Sequence, residues 1–90
     1  MPKLKQTFQN RTEQPLFINL ELSTARYRLN PGDELVLFYD PSRSVYEGDD
    51  SALRIELVNG PDGVELVIWT SENEIFMPDG SKAPLDFGRA

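Results

Sequence analysis

Apolar residues in this chain recur at every second position, and no window of helical length carries a sustained apolar stripe at three-and-four spacing. Side chains of an extended strand alternate between faces. Leu16, Ile18, Leu20 and Leu22 therefore define one apolar face, with Phe17, Asn19 and Glu21 on the other. The same alternation predicts strands over residues 3–9, 25–29, 35–39, 53–58, 64–70 and 74–77, with 83–87 as a final strand or docked tail. The expected fold is all-β: an antiparallel β-sandwich or small barrel of about seven or eight strands, one domain over residues 1–90.

Turn residues punctuate the pattern. Asn30-Pro31-Gly32-Asp33 is expected to join the strands on either side of it as a hairpin, because Pro presets its backbone angle and Gly accepts positive φ. Asn59-Gly60-Pro61-Asp62-Gly63 is expected to close a second hairpin. Leu20, Leu37, Ile55, Leu66 and Ile68 are assigned to inward faces, and Glu65 to the opposite face, where its loss should cost little.

Two strands break the one-face rule. In Leu35-Val36-Leu37-Phe38-Tyr39 and Val64-Glu65-Leu66-Val67-Ile68-Trp69 both parities are largely apolar, so a second cover is expected over Val36, Phe38, Val67 and Trp69. Leu85 and Phe87 of the tail are one candidate cover, and a second subunit is the other.

The chain has no Cys and no His. A transition-metal site would need carboxylates alone, and a Ser nucleophile would lack its usual imidazole partner. Paired acids at Asp33-Glu34, at Asp49-Asp50 and at Glu72 with Glu74 are the remaining catalytic constellation, and read more simply as solvated charge. Asp40, Glu47, Asp49 and Asp50 flank one polar loop and form a candidate calcium site without EF-hand spacing. Asn10-Arg11-Thr12 matches a glycosylation pattern and reads as accidental.

The charge is uneven. Residues 1–30 carry five basic and two acidic side chains, residues 31–90 four basic and thirteen acidic, for a net charge of −6. Such a balance repels a phosphate backbone, so no nucleic-acid partner is expected. No apolar run approaches the length of a membrane span or a signal-peptide core, and a soluble, cytoplasmic setting is expected.

Arg28-Leu29-Asn30-Pro31-Gly32-Asp33-Glu34-Leu35 resembles the Leu-x-Pro-Gly-Asp/Glu turn of many β-sandwich proteins, cupredoxin-like and cupin-like domains among them. The metal-binding His and Cys of those families have no counterpart here, so the resemblance implies a turn and no site. The resulting expectation is a non-enzymatic binding or assembly module without cofactor, acting through a protein partner or as a homodimer. The alternatives are a module for a small ligand, carbohydrate or calcium, and third a carboxylate-dependent hydrolase.

Overall fold

The computed structural model describes residues 3–21, 24–43, 51–61, 63–72 and 74–86. They form six strands: β1 (Leu4–Gln9), β2 (Leu16–Leu20), β3 (Ala25–Leu29), β4 (Glu34–Tyr39), β5 (Arg54–Gly60) and β6 (Gly63–Trp69). β1 and β4 pair antiparallel, with Phe8 opposite Leu35 and Gln6 opposite Leu37. The other four make a second sheet in the order β3-β2-β6-β5.

The all-β expectation holds, and several finer ones do not. β2 and β6 run parallel, with Ile18 beside Leu66 and Leu20 beside Ile68, so the architecture is not wholly antiparallel. Among the described residues neither sheet closes into a barrel, and six strands replace the expected seven or eight. Residues 74–77 form no strand, and Phe76 alone makes isolated bridges, to Val36 on one side and to Lys82 on the other. The tail docks without becoming a strand, its Asp86 N–H donating to the Arg26 carbonyl at 2.8 Å.

The turn at residues 30–33 forms as its residues dictate. The Asp33 N–H donates to the Asn30 carbonyl at 2.9 Å, and Gly32 sits at φ +86° directly after Pro31, the arrangement of a type II turn. The expected hairpin is nevertheless absent, because β3 pairs with β2 and β4 pairs with β1. This turn is an arch that carries the chain from one sheet to the other. Turn chemistry sets local backbone angles, whereas the strand partners are selected by longer-range contacts.

Asn10 makes those contacts. It is fully buried, and its Nδ2 donates to the carbonyls of Gln14 at 2.8 Å and Leu29 at 2.9 Å. Its Oδ1 accepts the Thr12 N–H at 2.8 Å and the Thr12 hydroxyl at 2.6 Å, an Asx turn. Its own N–H donates to the Asp33 carbonyl at 3.1 Å, and its carbonyl accepts the Gly32 N–H at 2.8 Å. One side chain thus ties the β1–β2 connection to the end of β3, while its backbone ties the same connection to the β3–β4 arch.

With the arches joined, both sheets turn apolar residues toward one core. Phe8 of β1 and Leu35 and Leu37 of β4 meet Ile18, Leu20, Tyr27, Leu29 and Ile68 of the larger sheet. Leu20, Leu37 and Ile68 are buried as expected, and Leu66 packs partly buried against them. Each fully buried side chain of this kind stabilises the fold by about 1.5–3 kcal/mol. Ile55 is the exception: it faces the core side, opposite Ile68, yet stays 38% exposed. No residue of β5 belongs to the core, since the buried cluster draws on β1, β2, β3, β4 and β6.

Asn10→Asp tests the junction, because a carboxylate oxygen would face the two carbonyls that Nδ2 now serves. The expected loss is roughly 2–6 kcal/mol, one to three for each buried group left unsatisfied. A urea titration measures it, with Arg11→Ala as a neighbouring exposed control expected to change little. Equal midpoints for the two variants would remove Asn10 from this role.

Candidate functional site

The four residues expected to share one second cover do not form a single patch. Val36 and Phe38 lie on the side of β4 turned away from the core, whereas Val67 and Trp69 lie on the outward side of the other sheet. Val36 is buried by the chain itself, its N–H and carbonyl bonding those of Phe76 at 2.7 and 2.8 Å. The Phe38 ring lies 6.0 Å from that of Phe76, tilted by 59°, and remains partly exposed. Leu85 does not lie over these residues. It lines a groove of about 370 Å³ with Ala25, Tyr27, Glu74, Ile75, Lys82 and Ala83, and Phe87 lies outside the described residues. In that groove burial raises the Tyr27 phenol pKa, opposed by a backbone hydrogen bond at Ile75.

The outward face of the larger sheet is polar and internally matched. Phe17 points outward yet is buried, because the Arg26 guanidinium lies 4.3 Å and that of Arg28 5.8 Å from its ring centre. Glu65 lies beside Phe17 in register and is only 8% exposed. It accepts the Asn19 Nδ2 at 2.7 Å and pairs with Arg26 at 3.3 Å. Its side chain also runs so close over Gly60 that a Cβ there would collide with the carboxylate, which accounts for glycine at this position of β5. The strand parity expected for Glu65 is correct, and its burial between Asn19 and Arg26 argues against the small cost expected for its loss. Sequence alternation separates the two faces of a strand but cannot reveal that an outward charge is buried by its neighbours.

At the far side of this face Trp69 donates its indole N–H to Glu56 at 3.1 Å, and Arg54 approaches the same carboxylate at 3.3 Å. The indole hydrogen bond, aided by Arg54, holds the Glu56 pKa below the usual carboxylate value.

The candidate calcium ligands are not assembled by the described residues. Asp40 uses its Oδ1 to accept the Ser42 hydroxyl at 2.7 Å and the Ser42 N–H at 2.9 Å, which lowers its pKa. Glu47, Asp49 and Asp50 lie outside the described residues. Among those described, no three His, Cys, Asp or Glu residues gather as a metal would require. Of the other acids considered for chemistry, Glu72 pairs with Lys3 at 2.8 Å and Glu74 with Lys82 at 2.9 Å. The Glu74 contact raises the Lys82 pKa, the direction opposite to that which makes a lysine a base at neutral pH.

What the molecule leaves open is the apolar side of the β5–β6 hairpin. Leu57 is 72% exposed, and Ile55 and Val64 are also exposed. Ile55, Leu57 and Val64 share the face that carries Leu66 and Ile68. Sequence reasoning assigned Ile55 to the core because parity indicates which side a residue faces, not whether a second layer reaches it. The usable signal was the contrast between the regular alternation Leu53-Arg54-Ile55-Glu56-Leu57 and the doubly apolar strands that lie inside.

Two measurements test the outward face. Glu65→Ala removes the acceptor of Asn19 and the nearer of two carboxylates beside Arg26, the other being Asp86 at 3.8 Å, and is expected to cost about 2–4 kcal/mol, against near zero for an exposed acid. Denaturant midpoints read the difference. Because Trp69 is the chain's one tryptophan, its fluorescence also follows Glu56. The depressed pKa means that Glu56 contributes stability above its unfolded value, near 4.5, and that this is lost as pH falls through the lower folded value. A fluorescence step with its midpoint below 4.5 is expected in the wild type and should vanish in Glu56→Gln.

Comparison of the chain with protein-family models, with curated proteins and with solved structures finds no match.

Proposed function

We propose that this chain is a non-enzymatic binding or assembly module, a sandwich-like two-sheet domain that works through protein–protein contact and associates with itself. The observation that carries the reading is β5, a strand that pairs with β6 yet contributes nothing to the core and holds Ile55 and Leu57 toward solvent. An apolar strand surface left uncovered on a small domain is a common mark of an interaction site. The matched outward face supports the same reading, because Glu65, Arg26, Asn19 and Glu56 have partners within the chain and are engaged in holding the sheet. A cytoplasmic setting is part of the proposal, with which a cysteine-free composition is compatible.

Sedimentation velocity from micromolar to near-millimolar protein tests the reading. A concentration-dependent shift from monomer to a discrete larger species is expected. A chain that remains monomeric throughout that range overturns self-association.

A further inference from the structure

An edge strand presents a row of backbone N–H and C=O groups able to pair with another strand, and folded proteins usually protect it. The larger sheet has two such edges, treated differently. β3 carries Arg26 and Arg28 and meets the docked tail, where Asp86 bonds the Arg26 carbonyl. β5 has β6 as its one strand neighbour among the described residues, and it contains neither Lys nor Pro.

We propose that β5 is the seam of a two-fold homodimer, pairing antiparallel with β5 of a second copy about an axis through Ile55. This deepens the self-association reading and rests on it. The occupant and the register follow from the segment's own chemistry, since Leu53-Arg54-Ile55-Glu56-Leu57 is complementary to itself when reversed. Centred on Ile55, Arg54 of each copy faces Glu56 of the other, Leu53 faces Leu57, and Ile55 faces its equivalent. Opposite charges directly across a strand pair stabilise it, and apolar pairs do likewise.

The neighbouring registers lack this match. An axis through Glu56 sets Glu56 against Glu56, a like-charge pair that is destabilising. An axis through Leu57 sets Glu56 against Val58 and Ile55 against Asn59, with no ion pair. A two-fold axis normal to the sheet also keeps each residue on its own face. Leu53, Ile55 and Leu57 of both copies therefore continue the apolar side that carries Leu66 and Ile68. Arg54 and Glu56, already 3.3 Å apart within one chain, become part of a four-charge cluster on the other side. Such a contact is isologous and closes at two subunits.

The absence of native cysteine makes the register directly readable. Residues facing each other across an antiparallel pair have Cα atoms about 4.5–5.5 Å apart. That lies within the roughly 4.4–6.8 Å spanned by a disulfide. Ile55→Cys is therefore expected to oxidise to a covalent dimer. Leu57→Cys is expected to cross-link at least about tenfold more slowly, its equivalents lying about 13 Å apart at the strand rise per residue. Leu57→Lys, a change at an exposed position, is expected to weaken the dimer at least about tenfold in sedimentation equilibrium, with the circular dichroism spectrum unchanged.

A monomeric wild type overturns both self-association and the seam, and leaves the edge to a different protein. A dimer that survives Leu57→Lys, and in which Ile55→Cys does not cross-link, overturns the seam while self-association stands. Preferential cross-linking of Leu57→Cys overturns the register.

Discussion

The buried amide of Asn10 is the contact on which the architecture turns. The chain crosses between the two sheets three times, and two of those crossings, β1 to β2 and β3 to β4, are held in one place, where the carbonyls of Gln14 and Leu29 converge on a single Nδ2. A carboxamide suits the position because it offers two donors and an acceptor, whereas an aspartate lacks the donors and a hydroxyl offers only one. With the ends of both arches fixed to it, β1 and β4 are left facing the β3–β2 half of the larger sheet.

The asymmetry of the molecule follows from that placement. A two-stranded layer cannot cover four strands, and the core accordingly involves β6 and stops short of β5. The smaller sheet is extended on the other side of β4 by the Phe76 bridge, which buries Val36 and gives Phe38 a ring neighbour. The tail then runs across to Arg26 on β3. Chain beyond β6 is thus engaged at β4 through Phe76 and at β3 through Asp86.

Much of the strand content was legible in the sequence, because alternation is a direct consequence of strand geometry. Ala25–Leu29 matches the expectation residue for residue, and the other five strands lie within two residues of theirs. Partnering was not legible. Pro31-Gly32 specifies a type II turn whether the flanking strands pair with each other or part into two sheets, so a hairpin and an arch look alike in sequence. Asn10 was hidden more completely, since a polar residue in a polar loop carries no sign that it will be buried. The candidate site was partly visible for a similar reason. Val36, Phe38, Val67 and Trp69 were recognisable as outward apolar residues, but their division between two sheets depends on the arch. Ile55 and Leu57 were recognisable as one face, but their exposure depends on the width of the opposing layer.

Burial of Asn10 sets the Asn10-Arg11-Thr12 tripeptide against the glycosylation pattern that it spells. An oligosaccharyltransferase acts on Asn-x-Thr while a polypeptide is still emerging and unfolded, and it modifies the same Nδ2 that later bonds Gln14 and Leu29. A glycan there would remove a donor hydrogen and place a bulky sugar in a position with no solvent exposure. The folded arrangement of this tripeptide and a glycan on Asn10 therefore exclude each other, because one nitrogen cannot serve both.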